Sequence, residues 1–170
     1  HWASIRGLYE CMSELDVLMA FAAASHQHHL VRASPISTKS PLHEEEMPLL
    51  RAARNLLVEE CVSNDWIPPE KVCCITGANA AGKSTFMKTI ATACVLNQAG
   101  SFVPATWAAL PVFGTIWCRS GTHDDSTRGL SSFTKQMADV QRSLQSCSGQ
   151  RWCSLLCFDE MGASTASTEG

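Results

Sequence analysis

The sequence has no run rich in lysine or arginine, and only 17% of its 170 residues are charged, with a formal net charge of −3. Composition therefore predicts no nucleic-acid surface on this stretch, and any contact with DNA must be argued from something else. No apolar run approaches the roughly 18 residues that a membrane-spanning helix requires. The N-terminus lacks a basic region followed by an apolar stretch, so no signal peptide is read, and the chain reads as soluble, with no membrane partner. No internal repeat is present. There is no C-x-x-C pair among the nine cysteines, an odd number placed partly inside apolar runs. That pattern predicts reduced thiols used in packing, in a cytosolic or nuclear compartment. An initiating methionine is also missing at His1, and the chain stops at Gly170 just after a motif, so a piece of a longer protein is expected at both ends.

What is present is core material: 45% of residues are hydrophobic, enough for one domain, or for one domain with an element appended from a neighbour. Apolar residues at 5, 8, 12, 15, 19 and 22 alternate in threes and fours, predicting a helix over 5–22 with one stripe packed against other helices. Residues 31–48 hold three prolines, three serines and the acidic run Glu44-Glu45-Glu46, which is loop chemistry. Helix formers over 49–60 predict a short helix. The runs 72–76, 112–118 and 152–158 predict strands, and Phe133, Met137, Val140 and Leu144 mark one face of a helix between the last two. Alternating strands and helices argue an α/β chain with a mostly parallel sheet and flanking helices.

The chemistry begins at Gly77-Ala78-Asn79-Ala80-Ala81-Gly82-Lys83-Ser84, which fits G-x-x-x-x-G-K-[ST] in full between a predicted strand and a predicted helix. Glycines at both ends let backbone N–H groups turn inward around phosphates, and the helix adds the positive end of its dipole. Lys83 would neutralise the β/γ-phosphates, Ser84 would ligate Mg²⁺, and Thr85 continues the nucleotide-binding run. The bland alternative is a glycine-rich turn that precedes a helix. Further along, Leu155-Leu156-Cys157-Phe158 delivers Asp159-Glu160 at a strand tip, a Walker B pattern. Asp159 would hold Mg²⁺ and Glu160 would act as general base toward water. Alone, the pair could be a solvated acidic turn.

Between these motifs, Gln98-Ala99-Gly100-Ser101-Phe102-Val103-Pro104-Ala105 resembles the Q-x-G-S-[FY]-V-P-A stretch of MutS proteins, and Thr76-Gly77-Ala78-Asn79 resembles their T-G-P-N lead. Arg119-x-Gly121-x-x-Asp124-Asp125-x-x-x-Gly129-x-Ser131-Ser132-Phe133 is similar to their R-x-G-x-x-D-D-x-x-x-G-x-S-T-F segment. Asp159-Glu160-Met161-Gly162 and Thr165-x-Ser167-x-Glu169-Gly170 are similar to D-E-x-G-x-G-T-S-T-x-D-G. Leu15-Asp16-Val17-Leu18, Val31-Arg32 and Asn64-Asp65 resemble weaker landmarks upstream. The chain departs from the family at Ala78, Ala80, Gln136 and Ala163-Ser164, and at Cys61, where an adenine-stacking aromatic is common. None of these changes removes a catalytic group.

The resemblance implies a MutS-type P-loop ATPase of the ABC class, with a helical core or lever segment over 1–34, a boundary over 35–48 and the ATPase domain over 49–170, truncated at its C-terminus. It further implies Mg²⁺-dependent, DNA-dependent hydrolysis of ATP to ADP and phosphate in a homo- or heterodimer, with the isolated stretch inactive. Gly129 and Ser131 of one subunit would reach the γ-phosphate held by the other. Mismatched or branched DNA would be gripped by domains outside the sequence, and a MutL-type protein is a further partner. A divergent eukaryotic homologue is expected, with a nuclear location; in a bacterium the location would be cytoplasmic. Two rivals remain: a hydrolysis-deficient homologue serving as a dimerisation scaffold, and an ABC transporter or chromosome-organising ATPase. The latter is disfavoured because Gly129-Leu130-Ser131-Ser132-Phe133 is not L-S-G-G-[QE]. His26 and His29, spaced i, i+3, have no third ligand nearby and read as a solvated helix end. Five tryptophans without interleaved basic residues read as core or interface aromatics.

Overall fold

The computed structural model describes residues 2–36, 49–68, 72–119, 129–149 and 152–160. The predicted first helix forms and is longer than its apolar stripe: α1 spans Trp2–Gln27. Its stripe packs against no described residue, and Ile5, Met12 and Met19 are 58–63% exposed. After α1, the guanidinium of Arg54 donates to the carbonyls of His28 and His29, which a helix end leaves without intrahelical partners. His26 and His29 are exposed.

Part of the stretch read as loop is paired. Val31 exchanges both backbone hydrogen bonds with Val103, at 2.9 and 2.8 Å, and β1 (Ser34–Pro35) runs parallel to β4 (Trp107–Leu110). The helix expected over 49–60 is not formed. Instead β2 (Leu50–Ala53) lies antiparallel to both β4 and β3 (Asn64–Trp66), giving the sheet order β1-β4-β2-β3. Tertiary burial overrides the helical propensity of Leu-Arg-Ala-Ala here, because Leu50 and Ala53 are buried in the strand register while Arg51 is exposed. The strand is irregular at Ala52, whose φ is 45° and whose N–H is taken by the Asp65 carboxylate at 2.8 Å. Arg51 lies over the Trp107 ring, 5.7 Å from its centroid.

The strand predicted over 72–76 is also absent. These residues are irregular, Val72 is 83% exposed, and no described strand pairs with them. A β-prone run forms a strand only where an edge offers it hydrogen bonds, so propensity alone was insufficient. The two later strands form with shifted starts: β5 (Thr115–Arg119) and β6 (Ser154–Phe158) pair in parallel, in register from Thr115↔Ser154 to Arg119↔Phe158. They are mostly half-buried, and Trp152 lies outside the strand and exposed. Among the described residues, two strand pairings are parallel and two antiparallel.

α2 (Lys83–Gln98) packs on β5 and β6 and shares a hydrophobic core with the four-stranded sheet. The core lies beneath it, with Ile90, Ala93 and Cys94 of α2 meeting Leu50, Trp66, Val103, Leu110 and Phe113. Burial pushes the Cys94 thiol up to about 12 and the Cys157 thiol to about 11, so both stay protonated. The packing role read for the cysteines holds for these two, whereas Cys11, Cys73, Cys74 and Cys118 are exposed free thiols. Of the tryptophans, Trp66 is buried in the core, while Trp2 is exposed. The last helix, α3 (Gly129–Cys147), includes Met137 and Val140 half-buried and Leu144 exposed.

Candidate functional site

The glycine-rich loop enters α2 through Gly82, which occupies the helix N-cap with φ 90° and offers no side-chain oxygen to the first turn. The left-handed conformation is one that glycine adopts without the cost a Cβ imposes. The first bond of the helical ladder at this end runs from the Phe86 N–H to the Gly82 carbonyl, at 2.8 Å. The N–H groups of Lys83, Ser84 and Thr85 therefore precede the helix's own acceptors and face outward from its positive end. A turn bond from Ala81 N–H to Ala78 carbonyl, 3.2 Å, folds the loop back, and Ala80 takes φ 60° to do so.

Lys83 closes this loop. Its Nζ donates to the carbonyls of Gly77 at 2.9 Å and Ala78 at 2.7 Å, holding a cation at the mouth of the helix. Ser84 and Thr85 are half-buried in the first turn, and the Thr85 carbonyl accepts the Thr89 hydroxyl at 2.8 Å. Gly77, Ala78, Asn79, Ala80, Ala81 and Gly82 are all exposed. Unpaired N–H groups, a helix N-terminus and one ammonium suit a phosphate chain, and the Ser84 hydroxyl beside them suits a hard divalent cation.

The second half of the site sits at the tip of β6. The Asp159 N–H donates to the Arg119 carbonyl at 3.0 Å, extending the β5–β6 ladder by one rung and fixing the backbone from which the half-buried carboxylate projects. Glu160 follows at φ 48° and is exposed. No described hydrogen bond or ion pair joins Lys83 to Asp159 or Glu160, so the two halves are brought to neighbouring elements through the packing of α2 on β5 and β6 rather than by direct contact. Gly129 is the first residue of α3, and Ser131 lies in its first turn. Residues 120–128 and 161–170, which carry much of the resemblance, lie outside the described residues.

Two contributions escaped sequence reasoning. Gln98 bonds both backbone groups of Phe113, donating from Nε2 to its carbonyl at 3.1 Å and accepting its N–H at 2.9 Å. Gly100, at φ 86°, ends α2 in a Schellman turn, with Ser101 N–H on the Leu96 carbonyl at 3.0 Å and Gly100 N–H on Asn97 at 3.2 Å. The Gln98-x-Gly100-Ser101 motif is thus a structural device that turns α2 toward β4. The other contribution is an ion pair from Arg119 to Asp139. A lone Arg and a lone Asp twenty residues apart carry no spacing signal.

Comparison with known proteins agrees with the motifs. A family model described as MutS domain V matches residues 73–170. Proteins named DNA mismatch repair protein MutS are similar over 98% of this chain: that of Bacillus cereus at 37% identity, of Bacillus mycoides at 38% and of Halalkalibacterium halodurans at 33%. The chain spans 18–19% of the length of these relatives. All three are bacterial, so they lend no support to the eukaryotic and nuclear expectation. No helix among the described residues is long and apolar enough to cross a membrane. With its glycine loop, its acidic strand tip and the match over 73–170, the chain belongs to the MutS family.

Proposed function

We propose that this chain supplies the ATP-binding and ATP-hydrolysing unit of a MutS-type mismatch-recognition protein, built on a P-loop fold of the ABC type and working as a dimer with composite sites. The observation that carries it is the loop at 77–84: a left-handed Gly82 cap, uncapped N–H groups and the Lys83 ammonium converge at one helix mouth. In this reading the β- and γ-phosphates take the place of the Gly77 and Ala78 carbonyls as partners of Lys83, and the N–H groups of residues 83–85 bind the phosphate oxygens. Ser84 and Asp159 would hold Mg²⁺, which spreads the charge developing on the phosphoryl oxygens. Glu160 orients a water for in-line attack on the γ-phosphorus and accepts its proton at a carboxylate oxygen, while the bond from that phosphorus to the β–γ bridging oxygen breaks and ADP leaves. Ser131 at the start of the partner's α3 completes the site.

DNA binding, the dimer partner and a MutL-type partner belong to the whole protein in this proposal, since the relatives are about five times longer. A bacterial source would place the reaction in the cytoplasm. The reading is tested in the full-length protein: Lys83→Ala abolishes Mg²⁺-ATP binding, while Glu160→Ala keeps binding and blocks turnover. Unchanged hydrolysis in the Glu160 variant refutes the general-base role. Intact ATP binding without turnover in the DNA-bound wild-type dimer supports a scaffold instead.

A further inference from the structure

Arg119 does two things with two parts of itself. Its backbone carbonyl holds the Asp159 N–H at the tip of β6. Its guanidinium donates to one carboxylate oxygen of Asp139 on α3, and Arg142 takes the other oxygen. The Asp139 side chain is 22% exposed and that of Arg119 31%, so the pair is shielded from water on most sides. Among the described ion pairs it is the one that joins two separate elements, since Arg6–Glu10 lies within α1 and Asp139–Arg142 within α3.

An exposed pair of this kind contributes little, but a partly buried carboxylate with both oxygens engaged fixes geometry as well as charge. Asp139 lies eight residues beyond Ser131, about 12 Å along the helix axis. The pair therefore ties α3 to the residue of β5 whose carbonyl holds the Asp159 N–H, one residue before Glu160. We propose that the Arg119–Asp139 pair is the joint through which α3, answering the partner's nucleotide, positions the acidic tip of its own subunit. This rests on the composite-site reading above. Arg119 is a positioning residue here, because it acts on the acids through backbone and helix and touches no reacting atom.

The test uses the full-length protein with mismatched DNA, reading steady-state kcat and KM together with the affinity for a fluorescent ATP analogue. Arg119→Ala and Asp139→Asn should each lower kcat by between about threefold and thirtyfold, the range expected for a coupling contact, with analogue affinity within about twofold of wild type. Combining them should cost no more than the worse single change, because both remove the same Arg119–Asp139 pair. Arg119→Lys, which keeps the cation, should recover most of kcat. Additive losses, an unchanged kcat, or a parallel loss of affinity in the isosteric Asp139→Asn would overturn the proposal. Equal turnover in wild type and Lys83→Ala would instead overturn the ATPase reading beneath it, so the two failures are distinguishable.

Discussion

Replacing Gln98 by glutamate leaves the shape of the side chain and turns its NH₂ donor into a carboxylate oxygen. The amide of Gln98 both accepts the Phe113 N–H and donates to the Phe113 carbonyl, and Phe113 is a buried residue of the core. In Gln98→Glu the acceptor survives. The donor is lost, and at neutral pH a negative oxygen faces the carbonyl. One lost bond contributes about 1 kcal/mol, and the unpartnered carbonyl opposite a charge costs about as much again, for about 2 kcal/mol in all. Because Gln98 is itself exposed, water recovers part of this, and about 1–2 kcal/mol is the expected local loss. That corresponds to roughly five- to thirtyfold faster amide exchange at Phe113, read by mass spectrometry on the full-length protein at pH 7.5. The sign with pH follows from the carbonyl. The introduced carboxyl has a folded pKa raised above its unfolded value, so the protonated form donates and restores the clamp. Its stabilisation is therefore complete below the unfolded value of about 4.3 and is lost as pH rises through the folded value. The gap to wild type should narrow between pH 7.5 and 5.5, whereas Gln98→Met, with neither group, should show the same gap at both. Exchange in residues 111–115 unchanged within about twofold in both variants would show that the clamp does not hold this turn.

Gly100→Ala should loosen the end of α2 by about 1 kcal/mol through its left-handed φ alone, because an added Cβ meets nothing within 4 Å. Faster exchange at Ser101 checks this, and a variant as protected as wild type refutes it. The raised thiol pKa of Cys94 predicts stability that is intact below about pH 9 and falls as pH climbs toward about 12. Urea midpoints of wild type should decline over that window more steeply than those of Cys94→Ala. In native protein at pH 8, a maleimide should label Cys11, Cys73 and Cys74, which are exposed, while Cys94 reacts only after unfolding. Labelling of native Cys94 at a matching rate would contradict its burial.

Local chemistry was the legible part of this sequence. The loop at 77–84 announced itself because a phosphate cradle needs glycine, lysine and a hydroxyl at fixed offsets, and α2 begins at the lysine as that logic demands. The helix of 5–22 was legible as a helix from its period, yet its apolar stripe meets nothing described, because period reports a face and not what covers it. Residues 50–53 misled for the complementary reason. Leu-Arg-Ala-Ala favours a helix locally, and only the edges of β3 and β4, fourteen and fifty-seven residues away, make it a strand. The run at 72–76 shows the converse, strand propensity with no described edge to satisfy it. Gln98 was read as part of a motif, and its partner Phe113 could not be, since the contact depends on where the Gly100 turn sends the chain.

The capping of α1 by Arg54 has a geometric consequence. That arginine directly follows β2, so the 26-residue helix is fastened at one end to the sheet that carries the core. At about 1.5 Å per residue the helix reaches about 39 Å from this fastening. A rotation of roughly 5° at the sheet then moves the Trp2 end by about 3 Å, the size of a broken hydrogen bond. A change too small to notice among the strands would arrive at the far tip of α1 as a displacement large enough to make or break a contact.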